Sequence, residues 1–466
     1  MLSPAPATPV PNHGFFPQKM GLYLQFTEYS HQGISLTKLK EPTKGLEPTG
    51  KLPPQEWLTA PQTLAVMTAL GTGSVDVRFV GGCVRDAMSG RAVSDIDIGT
   101  PDLPETVMTR LQAAGIRAIP TGLAHGTITA VLDGKSFEIT TLRRDLATDG
   151  RHAEIAYTDS WIEDARRRDF TINTLSATLN GDVYDPTTGI SDLAYGWVRF
   201  VGRASERIAE DYLRILRFYR FYGSFTQPYA DIDAIAACRQ SAPELKNLSG
   251  ERICQELLKI LMVPEPAEII LRMRGDHILD HILPEIGDIN LLRLVNWFET
   301  RAIRIDGIVP DPIRHLAATV KTDRQGALAI GQRLKLSNQA ADRLADICDP
   351  PFTVNPDMGE LAENKALRRY GFALFEDLAL MGWAREMSDG PRLPRARKEA
   401  WIAQLQRCRA WQDPAFPLSG HDVLSLGIAA GPDVGRLLTR VEEWWENGGY
   451  LADRQACLDR LLKEIS

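Results

Sequence analysis

Apolar residues recur at two different spacings along the chain, and the change between them divides the sequence into two parts. From residue 54 to about residue 180, alternating strand-like runs are separated by helical runs that stop at glycine. The segment 126–142 predicts a hairpin that turns at Asp133-Gly134. From about residue 205 the apolar spacing is three and four, which is typical of helices. The pattern predicts an α+β protein with a mixed-sheet head and an all-α remainder.

These patterns also suggest domain limits. Residues 1–53 are rich in proline, glycine and lysine without sustained periodicity, so we expect a disordered or loosely attached extension. The remaining residues divide into further predicted domains. They are a head at 54–180, a helical neck at 181–275, and a helical body and tail at 276–466. Within the head, the polar segment 144–160 is expected to be a mobile loop.

Composition narrows the class of protein. The net charge is −7, so binding to nucleic acid requires a local basic patch. Six scattered cysteines favour neither a disulfide framework nor a zinc site, and they fit a reducing cytoplasm. No apolar run reaches about 18 residues and no secretory signal is apparent, so neither a membrane segment nor export is expected.

Two carboxylates occupy one side of a predicted strand in the segment SDIDIGT. Asp95 and Asp97 are two residues apart and therefore project to the same face, while Ile96 and Ile98 project to the other. Adjacent like charges repel unless a cation lies between them. Oxygen ligands favour Mg²⁺, and a pair of such ions supports in-line phosphoryl displacement. An exposed polar face on an edge strand is the simpler alternative for an isolated Asp-x-Asp.

The surroundings of this pair favour catalysis over that alternative. The glycine pair ending at Gly82 allows backbone N–H groups to approach a phosphate, and Arg85 adds a fork of donors. Glu138 is the candidate third carboxylate, since it lies on a predicted strand and faces away from Phe137 and Ile139. We therefore predict a magnesium-dependent site at Asp95, Asp97 and Glu138.

Five segments in this order resemble the successive motifs of the class II CCA-adding tRNA nucleotidyltransferase and bacterial poly(A) polymerase family. They are FVGGCVRD…SDIDIGT, ARRRDFTINTL, YDPTTGISDL, AEDYLRILRFYRF and SGERICQELLKIL. The resemblance covers roughly residues 75 to 265. It implies a polymerase-beta-like nucleotidyltransferase head, a neck that reads the incoming nucleotide, and a body and tail that hold tRNA.

The resemblance also implies roles for individual residues. It implies that Asp95 and Asp97 are the metal ligands. It also implies that tRNA, CTP and ATP are the partners and that DNA is not. The nucleotide-binding residues that it implies are Gly82, Arg85, Arg168, Asp211, Arg214, Arg217 and Arg220. In ARRRDFTINTL, Asp169 and Asn173 are four residues apart and are expected to hydrogen-bond as structural support.

The segment EDYLRILRFYR, residues 210–220, predicts a helix whose charged residues follow one another at intervals of three. Nine residues turn this stripe by about half a turn, so its two ends cannot contact one base. We expect Asp211 and Arg214 to face the base, and Arg217 and Arg220 to hold phosphate or brace the neck. A carboxylate accepts and a guanidinium donates, which matches cytosine and adenine but opposes uracil and guanine.

Sister activities share these motifs. The segment TGLAHGT, residues 121–127, is similar to the CCA-adding branch, and the basic RRF-type segment of the poly(A) polymerases is missing from the corresponding stretch. CCA addition is therefore favoured. A poly(A) polymerase, an enzyme that adds only A or only the two Cs, and a catalytically silent RNA-binding protein remain as alternatives.

A local basic patch at 392–411 is the candidate tRNA contact. Its basic residues outnumber its one acid, and Trp401 and Trp411 are interleaved. A solvated helix face is an equally good interpretation of the same pattern. The predicted tRNA-binding residues are Arg392, Arg395, Arg397, Lys398, Arg407 and Arg409.

Overall fold

The computed structural model describes residues 47–73, 75–148, 153–225, 231–302, 307–390 and 393–465. They form two compact units. The first contains the described residues up to Arg214 and those from Phe225 to Ala237, and the second contains Ile215–Ser224 and the residues from Cys238 onward. The predicted α+β class is confirmed, since the first unit carries the sheet and the second is helical.

An eight-stranded mixed sheet organises the first unit, and a two-stranded hairpin stands apart from it. The strands are β1 Gly50–Lys51, β2 Arg78–Val80, β3 Ile96–Thr100, β4 Arg117–Gly122, β5 Thr127–Leu132, β6 Lys135–Thr141, β7 Arg143–Thr148, β8 Ala153–Tyr157, β9 Ser176–Ala177 and β10 Asp182–Tyr184. The sheet order is β1-β10-β9-β2-β3-β6-β5-β4. The pair β3–β6 is parallel, and its neighbours are antiparallel.

Two predicted boundaries of the head are wrong. β1 pairs with β10 and Leu52 is buried, so the head begins before residue 54. The head also extends past residue 180, because β10 lies between β1 and β9 in the sheet and pairs with both. Runs of two and three residues are too short to give a periodic signal, which explains why the sequence did not reveal them.

The expected mobile loop at 144–160 is also wrong for its described residues. β7 and β8 pair antiparallel from Arg143↔Tyr157 to Thr148↔Ala153, with one irregularity in register. Residues 149–152 lie outside the described residues. Backbone hydrogen bonds between the two strands stabilise this hairpin, and the polar sequence gives no periodic signal of them.

The first unit also contains helices, some of which pack on the sheet. They are α1 Glu56–Thr59, α2 Pro61–Leu70, α3 Gly82–Met88, α4 Pro104–Ala113, α5 Trp161–Arg166, α6 Gly189–Tyr195 and α7 Ala204–Glu210. α4 packs on β4 and β5, and α3 packs on β2 and β3. The predicted turn at Asp133-Gly134 is confirmed, since both residues have positive φ and link β5 directly to β6. Phe79, Ile98 and Phe137 are fully buried in this core.

The helices α8 Leu213–Phe225 and α9 Ile232–Ser241 contain residues of both units. The remaining helices are α10 Gly250–Leu261, α11 Pro266–Gly275, α12 Ile289–Trp297, α13 Pro312–Thr319, α14 Arg324–Leu334, α15 Asn338–Cys348, α16 Glu360–Asp389, α17 Arg395–Ala410, α18 Gly420–Ser425, α19 Pro432–Asn447 and α20 Arg454–Ile465. A π-helical turn, Phe298–Ala302, continues α12. Ser249 caps the start of α10, because its side chain accepts a hydrogen bond from the Arg252 N–H.

The second unit has a distinct core near its C-terminal end. Leu418, Val423, Val441, Trp445 and Leu461 are buried together there. This cluster lies entirely within the second unit. None of the described helices is long and apolar enough to cross a membrane. All six cysteines lie in the described ranges and are free thiols.

Candidate active site

The predicted carboxylates lie at the centre of the sheet. Asp97 and Glu138 are partners across the parallel pair β3–β6, and Ile98 pairs with Ile139 beside them. Ile98 and Ile139 are buried, whereas Glu138 is exposed and Asp97 is half-buried. The predicted separation of acid and apolar faces is confirmed. Asp95 precedes β3 and is exposed, and its carboxylate accepts a hydrogen bond from Ser94 Oγ at 2.8 Å.

Asp97 lies in an excess of negative charge. Burial, together with the carboxylates of Glu138 and Asp95, raises its pKa to about 6, although Arg168 and Arg85 act in the opposite direction. These five groups therefore interact electrostatically at one place. A carboxylate that is held in this way is stabilised in its charged form by a bound cation.

A glycine turn brings backbone and guanidinium donors to the same place. Gly81 has φ +66°, and Gly82 is the first residue of α3. A Cβ atom at Gly82 would lie 3.7 Å from Arg85 Nη2 and 3.9 Å from Asp97 Oδ2. At Gly81 it would lie 3.0 Å from Arg168 Nη1. Because neither glycine has a side chain, the backbone of this turn lies directly beside Arg85, Arg168 and the carboxylate of Asp97.

Arg85 and Arg168 are each held by an acid of the first unit. Arg85 donates through Nε and Nη2 to Asp86, at 2.9 and 2.8 Å. Arg168 donates through Nε and Nη2 to Asp164, at 3.2 and 2.9 Å. Asp164 is buried, and although burial alone would raise its pKa, Arg168 and Arg167 lower it overall. Both guanidinium groups are therefore fixed in orientation.

The described residues contain no group of three or more His, Cys, Asp or Glu side chains that is arranged to hold a metal by itself. Mg²⁺ does not need such a cage, because it keeps waters and uses one or two carboxylates together with substrate phosphates. The excess negative charge at Asp97 fits a cation of this kind. The oxygen-only donor set likewise suits a hard divalent ion.

Comparison with known proteins identifies the family. A family model described as the poly A polymerase head domain matches residues 77–199, and one described as the probable RNA and SrmB- binding site of polymerase A matches residues 231–289. Human CCA tRNA nucleotidyltransferase 1, mitochondrial, is 34% identical over 401 residues, which are 83% of this chain and 87% of the relative. The chain belongs to the CCA tRNA nucleotidyltransferase family. The family resemblance noted in the sequence is therefore confirmed, and the chain is a nucleotidyltransferase.

Other members of the family agree with this assignment. A CCA-adding enzyme of Streptococcus pyogenes is 38% identical over 207 residues, which are 44% of this chain and 50% of that enzyme. The crystal structure of the Bacillus stearothermophilus CCA-adding enzyme in complex with CTP aligns with a TM-score of 0.61 at 26% identity, covering 86% of this chain and 96% of that one. The Thermotoga maritima CCA-adding enzyme complexed with tRNA has a TM-score of 0.54 at 20% identity, over 88% and 98% of the two chains, which supports the fold.

The neck segment differs from its predicted form. α7 ends at Glu210, Asp211 is extended with φ −157° and ψ 106°, and α8 begins at Leu213. The single helix predicted over 210–220 is therefore wrong. The Asp211 carboxylate accepts a hydrogen bond from the Leu213 N–H at 3.1 Å, so it caps the start of α8. An aspartate competes well for that position, which explains the break.

The arginines of the neck segment contact two different acids. Within the first unit, Arg214 donates through Nη1 to Glu210 and the Arg207 carbonyl, and through Nη2 to the Arg167 carbonyl. Within the second unit, Glu256 accepts a hydrogen bond from Arg220 Nε at 2.7 Å. Arg217 Nη1 lies 3.9 Å from Glu256. Glu256 is only 4% exposed, so the Arg220 contact fits the bracing role that was expected as one of two alternatives.

The basic patch is largely neutralised. Arg397 pairs with Asp357 and Glu386, Arg407 pairs with Glu363, and Arg409 pairs with Glu376. Trp401 is buried and donates to Glu386 at 2.6 Å. The charges of residues 392–411 alone do not include these acids, because they come from other segments of the chain.

Two predicted residues of this patch remain near the surface. The Arg395 side chain is 90% exposed and pairs with Glu399 on the same helix, and Lys398 is half-buried. Arg392 lies outside the described residues. The proposed role of α17 in binding tRNA thus depends on Arg395 and Lys398 among the described side chains.

Sequence reasoning passed over two residues that matter for this site. Asp86 follows Arg85 in the sequence, and its carboxylate fixes two nitrogen atoms of Arg85. Asn173 was interpreted as support for Asp169, and that hydrogen bond is confirmed at 2.9 Å. Because Arg85 and Asp86 are adjacent in the sequence, their contact could have been predicted from it. Nothing in the sequence joins Asn173 to Arg85, 88 positions away.

Proposed function

We propose that the enzyme adds CMP and AMP to the 3′ end of tRNA, completing CCA from CTP and ATP with release of pyrophosphate. The observation that carries the proposal is the register of Asp97 with Glu138, beside the Gly82 turn and Arg85, in a chain of this family. The named activities of its relatives support the substrates. We propose the cytoplasm as its location, although the human relative is named mitochondrial.

In the proposed reaction the tRNA 3′-hydroxyl oxygen forms a bond to the α-phosphorus of the nucleotide. The bond from that phosphorus to the bridging oxygen of pyrophosphate breaks, and the hydroxyl proton passes to water. Asp95 and Asp97 would hold Mg²⁺, with Glu138 as the third carboxylate. When bound, the metal neutralises charge on the phosphates and favours ionisation of the attacking hydroxyl.

The remaining residues bind and orient the substrate. The backbone N–H groups at Gly82 and the guanidinium groups of Arg85 and Arg168 would hold the triphosphate and ribose. Asp211 and Arg214 would face the base, and Arg217 with Arg220 would hold phosphate or brace the neck. Arg214 is engaged by Glu210 in the structure, so base recognition by Arg214 requires exchange of that partner.

The deciding experiment uses purified protein, Mg²⁺ and tRNA transcripts that end before CCA, after C and after CC. Each transcript receives CTP, ATP or both, and the products are resolved to one nucleotide. Addition of C, C and A followed by a stop supports the proposal. A single A added only to the CC-ending transcript would make the protein an A-adding enzyme, and two Cs without A would make it a CC-adding enzyme.

The same assay tests the metal site through Asp97→Ala. We expect incorporation to fall at least about a thousandfold, because removal of the central carboxylate removes a proposed metal ligand. Binding of tRNA, measured separately by filter retention, should be nearly unchanged. Asp182→Ala, which alters an exposed ion pair with Lys51, is the matched control and should retain full incorporation.

Poly(A) synthesis is the second candidate, because the model that matches residues 77–199 is described as the head domain of poly A polymerase. Long A tails made from ATP alone would establish it. The segment 121–127 favours CCA addition over this alternative.

A further inference from the structure

Asn173 is the last residue of a short 3₁₀ turn, Thr171–Asn173, and is 6% exposed. Its side-chain oxygen accepts a hydrogen bond from Arg85 Nη1 at 2.6 Å. Its side-chain nitrogen donates to Asp169 Oδ1 at 2.9 Å. Its backbone carbonyl accepts a hydrogen bond from Arg168 Nη1 at 3.1 Å. One buried residue thus contacts both arginines that flank the glycine turn.

The chemistry of these partners determines the direction of the amide. A guanidinium only donates and a carboxylate only accepts, so the oxygen of Asn173 must face Arg85 and its nitrogen must face Asp169. Asp169 is itself 7% exposed and accepts a hydrogen bond from the Phe170 N–H at 2.9 Å. The amide is therefore fixed at both ends by groups that cannot exchange roles.

The guanidinium plane of Arg85 is consequently held from two sides. Asp86 binds Nε and Nη2, and Asn173 binds Nη1. The Nη2 atom and Asp97 Oδ2 both lie within 4 Å of the Cβ position at Gly82, which places this plane next to the central carboxylate. Asp86 alone would leave the Nη1 edge without this restraint.

We propose that Asn173 is a positioning residue that orients Arg85, and through its carbonyl Arg168, toward the triphosphate of the incoming nucleotide. This inference rests on the proposed function, since it assigns both arginines to the nucleotide. It differs from a purely structural role in one respect: the effect of Asn173 on catalysis is transmitted through Arg85.

A double-mutant cycle tests this difference. We expect Asn173→Ala to lower kcat/KM for CTP by roughly 10- to 100-fold, the range for loss of a hydrogen bond to a charged group. In an Arg85→Ala background the same change should lower it less than about twofold, because the group that Asn173 orients is already gone. Equal losses in both backgrounds would overturn the proposal.

Exchange of the two side chains provides an independent test. Asn173→Asp places a carboxylate against Asp169, and the repulsion should lower kcat/KM for CTP. The double variant Asp169→Asn/Asn173→Asp restores a donor and an acceptor at this contact and still offers Arg85 an acceptor. We expect it to recover most of the loss. Absence of recovery in a folded double variant would contradict the proposal, and this test decides if Asn173→Ala does not fold.

Asn296→Ala is the matched control. Asn296 is 5% exposed and donates to the Pro264 carbonyl at 3.1 Å in the second unit, so the change removes a comparable buried hydrogen bond. It should lower the melting temperature without changing kcat/KM for CTP. Product sizing with the wild-type enzyme separates the two hypotheses. If the wild type completes CCA and the cycle shows no coupling, the inference fails while the proposed function stands.

Discussion

Arg220 and Glu256 form a short ion pair, 2.7 Å from Nε to Oε2, in which the carboxylate is almost fully buried. The pair joins α8 to α10 within the second unit. It therefore bears on whether Arg220 holds the nucleotide or braces the neck, the two roles that its position in the sequence allowed.

We predict that Arg220→Met destabilises the protein by about 1–3 kcal/mol, because Glu256 loses its nearest cation. The KM for CTP should change less than about threefold. Urea unfolding followed by circular dichroism would measure the change in stability, and steady-state kinetics would measure the KM. Arg217→Met is the matched control, since Arg217 lies 3.9 Å from the same carboxylate and should cost less than about 1 kcal/mol. A stable Arg220→Met with a much higher KM would instead assign Arg220 to the nucleotide.

Asp211→Ala should relax the choice of base. The carboxylate accepts from the amino group of cytosine or adenine and repels the carbonyl of uracil, so its loss should reduce the preference for CTP over UTP by about a hundredfold. Competition between labelled CTP and UTP on a tRNA that ends before CCA measures the preference. Asp211 also caps α8, so Asp231→Ala, which removes the side-chain cap of α9, serves as the comparison and should retain the wild-type preference. An unchanged preference in Asp211→Ala would remove Asp211 from the base site.

Arg395→Ala/Lys398→Ala should weaken tRNA binding and reduce the salt dependence of its affinity by about two counterions if α17 contacts the phosphate backbone. Arg407→Ala should instead act on stability, because its guanidinium is paired with buried Glu363. Titrations at several salt concentrations distinguish the variants. An unchanged slope in the double variant would show that α17 is a solvated face, the alternative that the sequence left open.

Gly250→Ala should destabilise the second unit by about 1–3 kcal/mol. Its Cβ would lie 2.1 Å from the Arg333 carbonyl oxygen, so backbone must move. Gly435→Ala makes the same chemical change within α19, where among the described residues no atom beyond the local helix backbone lies within 4 Å of the new Cβ, and it should stabilise by about 0.5–1 kcal/mol. Thermal unfolding of the pair tests both signs, and equal melting temperatures would contradict the packing at Gly250.

Asp164 predicts an acid-dependent loss of stability. Its pKa is lowered in the folded protein, so its contribution is present above the unfolded value of about 3.9 and is lost as pH falls toward the folded value. Wild type should therefore exceed Asp164→Asn in stability at neutral pH, and the gap should narrow below about pH 4. Urea unfolding at a series of pH values measures the gap. A gap that stays constant down to pH 2 would contradict this account.

The residues that the sequence predicted well are those whose position follows from local geometry. Alternation alone put Asp97 and Glu138 on the faces opposite Ile98 and Ile139, and the pairing of the two strands then brought the acids together. The turn at Asp133-Gly134 was equally legible, because both residues tolerate positive φ.

What the sequence did not reveal depends on distant partners. The break at Asp211 arises from a cap that competes with the helix. The acids that neutralise Arg407 and Arg409 lie in α16, more than thirty residues before them, so a local charge count could not include them. The link from Asn173 to Arg85 likewise exists only in the folded unit.

The register of β3 with β6 links correct folding of the sheet to the position of the acids. A slip of β6 by one residue would turn Glu138 inward and expose Phe137, since side chains alternate along a strand. A slip that displaced Glu138 would therefore also remove Phe137 from the apolar core and destabilise the fold. Cellular proteases remove chains that fail to stay folded, so quality control of folding also screens the geometry of the proposed site.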